Sequence, residues 1–292
     1  MGARSSAKTR LRLLVPHPAL LLERRGERVL VASDLHIGWE VTLSEKGIHV
    51  PSQTHKLLER LMQLIEAQKA TRLILLGDVK HTVARVEMSE WRDVPDFFEK
   101  LSARVPEVTV IRGNHDGDLE ALTPRSVETV EPTGIQLWDE IGLFHGNTWP
   151  APKLLESRIL IIGHMHPVVT FRDHFNYRMI RPVWVRATCA CKLLAPQFLK
   201  HRGVKSGEDP VETVKQRFSV KPRDMGIIIM PAFNEFLGGQ AINKREGPLA
   251  GRGIRDHVGP LLRSGCVDLD AAEVYMLDGT FLGSLKDLRA LA

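Results

Sequence analysis

The sequence predicts an α/β fold of two sheets flanked by helices, on three observations. Short β-branched runs alternate with helical apolar repeats up to about residue 112. Beyond that point, short strands separated by tight turns suggest a second sheet rather than more βαβ units. Several of these apolar runs end in Asp, His or Asn side chains that can carry chemistry.

Strands are expected first at about 11–15 and 19–23. Arg28 to Ser33 is a β-branched run ending in Asp34-Leu35-His36-Ile37-Gly38. From Gln53 to Lys69, Leu57, Leu58, Leu61, Met62, Leu64 and Ile65 recur at helical spacing, with Lys56, Glu59, Arg60 and Gln63 on the other face. This predicts an amphipathic crossover helix. Arg72 to Leu76 is a second buried strand ending in Gly77-Asp78, and a helix from about Ser89 to Arg104, opened or kinked at Pro95, leads to a third strand at 107–112. The order strand, helix, strand, helix, strand predicts parallel pairing. Ile135 to Trp138 and Ile141 to His145 form an expected hairpin, followed by Arg158 to Ile162 and by strands at 167–171, 182–187, 226–230, 273–277 and 280–282.

A 292-residue chain that is 43% hydrophobic can bury a large core. It reads as one domain over 11–292 with a signature core at 28–170, after a basic flexible arm at 1–10. Residues 192–223 and 244–265 read as basic surface insertions, either solvated faces or a clamp for phosphate backbone. Lys plus Arg number 40 against 35 Asp plus Glu, a net +5, which is compatible with a polyanionic partner.

Three cysteines do not make a disulfide framework, and the spacing of Cys189 and Cys191 lacks zinc-ribbon form; they read as small residues on one strand face. A reducing, cytoplasmic location is expected. No apolar run approaches the ~18 residues of a membrane span. The Leu11 to Leu22 segment is broken by Pro16, His17 and Pro18 and makes a poor signal peptide. Met1-Gly2 with Ser6 formally fits a myristoylation pattern too short to carry weight.

Four strands end in potential metal ligands, namely Asp34 with His36, Asp78, Asn114 with His115, and His164 with His166, and His145 ends a fifth. Taken singly, each has an ordinary reading as a turn or a hydrogen-bonded core residue. Ligands gather at the carboxyl ends of strands in open α/β sheets, where connecting loops diverge, so one shared rim would collect all of these residues. Asp34-x-His36, Gly77-Asp78, Gly113-Asn114-His115-Asp116, His145-Gly146 and Gly163-His164-Met165-His166 resemble the five signature blocks of the calcineurin-like metallophosphoesterase superfamily. Within it the chain is most similar to archaeal small phosphoesterases related to SbcD-type repair nucleases. That similarity rests on Asp34-Leu35-His36-Ile37-Gly38, Gly77-Asp78-Val79-Lys80-His81, Pro182-Val183-Trp184-Val185-Arg186, Pro231-Ala232-Phe233-Asn234 and Leu277-Asp278-Gly279.

The resemblance implies a metallophosphoesterase sandwich with metals at the strand C-terminal ends. Asp34, His36 and His166 would hold one divalent ion, Asn114, His145 and His164 a second, and Asp78 would bridge them. Oxygen and imidazole donors without thiolate suit Mn²⁺, Fe, Zn²⁺ or similar ions without choosing among them; the resemblance makes two divalent ions the expectation, Mn first, with Fe, Zn or Ni as alternatives. Such a pair lowers the pKa of a shared water, and the resulting hydroxide attacks phosphorus in line. His115 would stabilise or protonate the leaving oxygen. Asp116 would either orient His115 or cap a helix. Lys80 could hold a phosphate as a point charge and His81 could hydrogen-bond a phosphoryl oxygen, or both could lie in a plain solvent-facing loop.

The expected activity is hydrolysis of phosphodiesters, with DNA or RNA as candidate substrate, as in a nuclease linked to DNA repair. Two other readings stand beside it: a phosphodiesterase or phosphatase for small molecules, and a non-catalytic binding scaffold of the same fold. No membrane partner is expected.

Overall fold

The computed structural model describes residues 8–83, 86–172, 174–175, 177–244 and 258–291. Most of the expected basic arm and most of the second basic segment therefore lie outside the described residues. Six strands form the first sheet: β1 (Arg10–Leu13), β2 (Ala19–Arg24), β3 (Glu27–Ala32), β4 (Arg72–Leu75), β5 (Glu107–Ile111) and β6 (Val127–Val130), in that spatial order. The first three pair antiparallel, and β3 to β6 pair parallel. Parallel neighbours need long crossovers. Those after β3 and β4 carry α1 (Trp39–Ser44), α2 (Thr54–Gln68) and α3 (Met88–Ser102), the last running through Pro95.

The second sheet holds β7 (Ile135–Leu137), β8 (Ile141–Phe144), β9 (Ile159–Ile162), β10 (Pro167–Arg172), β11 (Arg178–Cys189), β12 (Met225–Ile229) and β13 (Gln240–Ala241). Their order is β13-β10-β11-β12-β9-β8-β7, and β14 (Val267–Met276) pairs with both β11 and β15 (Phe281–Ser284). This is the expected two-sheet architecture, with β6 and β13 as strands that the pattern missed.

Alternation along the strands builds three apolar layers. Leu20, Leu22, Val29, Val31 and Ile74 of the first sheet meet Ile141, Leu143, Ile161, Trp184 and Ile228 of the second. The opposite face of the first sheet, with Leu21, Leu30, Leu73 and Val110, packs on Leu57, Leu61, Phe97 and Phe98 of α2 and α3. Val183 and Val185 flank Trp184 in sequence and so point away from it, into the outer layer with Ile227 and Ile229. Each such side chain stabilises the fold by roughly 1.5–3 kcal/mol relative to exposure.

That outer layer corrects the reading of residues 192–223 as a surface insertion. The segment contains α4 (Cys191–His201) and α5 (Pro210–Phe218), and Leu194, Ala195, Phe198, Leu199 and Val214 are buried against the second sheet. The lysines and arginines between them hide a helical stripe of apolar residues. Further on, α6 (Pro260–Arg263) and α7 (Leu285–Ala290) add Leu261, Leu285 and Leu288 to the same layer. Cys189 ends β11 but Cys191 opens α4, so the two do not share a strand face; all three cysteines are free. Among the described residues no helix is long and apolar enough to cross a membrane.

Candidate metal centre

Beyond β3 and β4 the two chains stay paired past their strand ends. Asp34 N–H donates to Gly77 O at 3.1 Å, His36 N–H to Asp78 O at 2.8 Å and Ile37 N–H to Val79 O at 2.7 Å. Within the second sheet, Gly163 N–H donates to His145 O at 2.9 Å, and Phe233 N–H crosses from beyond β12 to Ser33 O of the first sheet at 2.7 Å. The Asp34 carboxylate accepts from the Ser33 hydroxyl at 2.6 Å and from the His164 N–H at 3.1 and 3.2 Å. Loops from both sheets thus share one rim.

The backbone there is strained. Asp34, His36, Asp78, His164 and His166 have left-handed φ of 60°, 46°, 50°, 66° and 45°. For non-glycine residues this conformation costs of order 1–3 kcal/mol each, and it concentrates where surroundings over-determine the geometry. Close approach is also built in at Gly113, where an added Cβ would sit 2.1 Å from Asp78 Oδ1, and at Gly163, where it would sit 1.8 Å from the Ser33 hydroxyl.

The side chains converge on a cleft of about 400 Å³ lined by His36, Asp78, Asn114, His115, His164 and His166, among others. Three groups have ligand atoms within 4.8 Å of one another and could each hold a metal ion: Asp34 with His36 and His166, Asp78 with His145 and His164, and His36 with His81 and His115. Asp78 sits between the first two. Its Oδ2 lies 3.2 Å from His145 Nε2 and 3.6 Å from His36 Nε2, while Oδ1 accepts from the His115 N–H at 2.9 Å. His166 Nε2 lies 3.1 Å from Asp34 Oδ1.

These ring nitrogens stand near carboxylate oxygens without hydrogen-bond alignment. His36 Nε2, His145 Nε2, His164 Nδ1 and His166 Nε2 are all buried with no hydrogen-bond partner. Orphaned polar atoms of this kind are rare and call for a cause, and an ion among them supplies one. His145 has its other nitrogen, Nδ1, 2.6 Å from Leu76 O; a carbonyl only accepts, so Nδ1 keeps a proton and Nε2 is the atom that can ligate once its own proton has left.

Electrostatics agree with a cation site. Burial alone would drive the proton off His145, yet the Asp78 and Asp34 carboxylates outweigh it and hold the pKa up at about 10. His164 goes the other way, down to about 4, because burial and then the charge on His145 oppose a second cation. Without an ion, the buried carboxylates draw their positive charge from imidazole.

All seven expected metal ligands and His115 come together here. His115 Nε2 lies 3.9 Å from Asp78 Oδ2, and its Nδ1 donates to His81 O. Asp116 is placed differently from its expected role as orienter of that ring. The carboxylate is fully buried and accepts from the N–H groups of Val79 at 2.9 Å, Lys80 at 3.3 Å and Gly113 at 2.9 Å. Burial and then the Asp78 charge raise its pKa to about 6. It fastens the loop after β4 to the loop after β5, and the His81 carbonyl fixes His115 instead. Nor is Asp116 a helix cap, because the short turn of helix that follows starts from Asp118.

Lys80 does not reach the cleft. It is fully buried and its ammonium donates to Thr82 O. His81 does line the cleft, but its Nδ1 lies 3.2 Å from His36 Nδ1 and its Nε2 3.1 Å from the Thr42 hydroxyl. Both of its nitrogens are therefore engaged within the protein.

Sequence reading missed three contributors. Glu90, in the first turn of α3, is fully buried and its Oε1 accepts from His81 N–H at 3.0 Å and Thr82 N–H at 2.8 Å. Asn234 is buried and donates to Leu35 O at 2.9 Å. Leu237, Gly238, Gly239 and Gln240 form one wall of the cleft. Only the Phe233-Asn234 pair lay in a segment that the sequence singled out.

A family model described as calcineurin-like phosphoesterase matches residues 27–214, which include every residue of the rim named above except those of the 233–240 wall and its support. The chain belongs to the calcineurin-like phosphoesterase family. It is accordingly a metal-dependent phosphoesterase, a hydrolase of phosphoric esters. Sequence search of the curated proteins finds no match. Among solved structures, the calcineurin-like phosphoesterase chain resembles the Pseudomonas putida nuclease MPE, at 20% identity and a TM-score of 0.52, over 93% of this chain and 98% of that one. Weaker likenesses are to Yfce, a phosphoesterase from E. coli (20% identity, TM-score 0.32, 50% of this chain and 73% of that one), and to AQ665, a protein of unknown function from Aquifex aeolicus (18%, 0.33, 47% and 78%). At these identities the likeness concerns the fold.

Proposed function

We propose that the protein is a dinuclear metal-dependent phosphodiesterase acting on nucleic acid, a nuclease of the kind that serves DNA repair. The observation that carries this reading is the position of Asp78, whose Oδ2 faces both His36 Nε2 and His145 Nε2, rings that belong to two separate ligand groups. Asp34, His36 and His166 would hold one ion and Asn114, His145 and His164 the other, with Asp78 placed to serve both. A donor set of carboxylate, amide oxygen and imidazole without thiolate suits Mn²⁺, Fe, Zn or Ni. When bound, such a pair supplies Lewis acidity that polarises the phosphoryl group and acidifies a water.

The protein's own groups then do the following. His115, its Nδ1 fixed by the His81 carbonyl, turns Nε2 into the cleft and delivers a proton to the leaving oxygen. Asp116 and Glu90 act behind it by holding the two loops in register. A nucleic-acid substrate is supported by the net +5 charge and by the fold shared with the nuclease MPE, whose own name gives its activity. Three free cysteines fit a reducing compartment such as the cytoplasm.

The test is hydrolysis of a chromogenic phosphodiester and of single-stranded DNA, double-stranded DNA and RNA with Mn²⁺ and with chelator. Activity should vanish with chelator and fall at least ~100-fold in Asp78→Ala and His115→Ala. Full activity in Asp78→Ala would sink the two-metal reading.

A further inference from the structure

Beside the cleft stands an aromatic pair that the chemistry above does not use. The rings of Trp39 and Phe236 lie 5.9 Å apart between centroids with planes 10° from parallel, and Phe236 is 48% exposed. Neither ring lines the cleft, yet both are anchored to it. The Trp39 backbone N–H donates to His36 O at 3.1 Å, and Phe236 directly precedes the Leu237–Gln240 wall. The Phe236 backbone is held in place, its N–H donating to the Oδ1 of buried Asn234 at 3.1 Å. The exposed Lys56 puts its ammonium 5.8 Å from the Phe236 ring centroid.

A flat, half-exposed ring with an ammonium 5.8 Å from its centroid sets an aromatic surface and a cation for phosphate side by side. That combination is how proteins hold single-stranded nucleic acid, because every base has a π-face and every link a phosphate. A substrate confined to the cleft would need neither group. We propose that Trp39 and Phe236 form a stacking platform for a nucleobase neighbouring the scissile phosphate, with Lys56 taking the adjacent phosphate. The proposal rests on the reading of the protein as a nucleic-acid phosphodiesterase.

The experiment compares wild type, Phe236→Ala and Phe236→Trp with Mn²⁺ on three substrates. These are a single-stranded oligonucleotide, the same strand with abasic positions beside the cleaved bond, and methyl 4-nitrophenyl phosphate, which is too small to span cleft and platform. On the intact strand Phe236→Ala should raise KM about 10-fold with kcat little changed, the scale of one lost stacked base, and Phe236→Trp should keep the wild-type KM. Removing the bases should raise the wild-type KM by a similar factor and leave that of Phe236→Ala unmoved. Equal turnover of the small diester by all three proteins shows that each is folded and loaded. Equal KM for wild type and Phe236→Ala on the intact strand overturns the platform. A wild type that hydrolyses the small diester but no oligonucleotide overturns the nucleic-acid reading beneath it.

Discussion

The Nδ1 atoms of His36 and His81 lie 3.2 Å apart, and the far nitrogen of His81 meets the Thr42 hydroxyl at 3.1 Å. His36 therefore has one nitrogen toward the carboxylates and the other braced by a second imidazole. Braces of this kind fix the orientation and basicity of a ligating ring, and losing one costs typically 10–100-fold in metal affinity. His81→Ala should weaken Mn²⁺ binding by about that factor, read by calorimetric titration. Unchanged metal affinity with a raised KM for substrate would return His81 to a substrate-binding role.

Asp116 should matter to stability more than to the proton on His115. Removing its carboxylate strands three N–H donors from two loops, a loss of about 3 kcal/mol when buried partners go unmet. Urea unfolding of Asp116→Ala should show it, and Asp116→Asn should recover part because an amide oxygen still accepts. Wild-type stability with a fall in turnover would instead favour an orienting role toward His115.

Gly113→Ala forces a methyl within 2.1 Å of Asp78 Oδ1 and 2.5 Å of Asp78 N. Metal content should fall and activity drop at least ~100-fold, while circular dichroism stays native. Gly117→Ala is the control, since a Cβ there meets nothing within 4 Å. An active, metal-loaded Gly113→Ala protein would mean that Asp78 is not held where the rim needs it.

Loading the site should release a proton. With its pKa held up at about 10 by Asp78 and Asp34, His145 is protonated in the metal-free protein at pH 7.5, and an ion taking Nε2 must displace that proton. The sign follows: apparent affinity tightens as pH rises, up to about pH 10. Calorimetry in two buffers of different ionisation enthalpy counts the protons; a count of zero at pH 7.5 would remove His145 from the ligand set.

The rim was legible because it uses backbone periodicity and side-chain type together. Asp34, Asp78, Asn114, His145 and His164 each follow a short apolar strand, and that placement survives in one dimension. What was not legible depends on direction. Lys80 and Asp116 look like cleft residues by position, yet the chain turns both inward, one onto Thr82 O and the other onto three N–H groups. Phe198 and Leu199 were hidden because basic neighbours masked the stripe that α4 buries. Glu90 reads as an ordinary helix-start acid, and only the fold brings it beneath His81.

Asp34, Asp78 and Asn114 follow strands of the first sheet, whereas His145, His164 and His166 follow strands of the second. An ion bound among them is thus a rivet through both plates of the sandwich, present only in the folded molecule. By mass action it adds about 4 kcal/mol at a thousand times its dissociation constant, so the melting temperature should climb with free metal and fall with chelator. In this architecture a metal supply that governs turnover would also raise and lower the protein's resistance to heat.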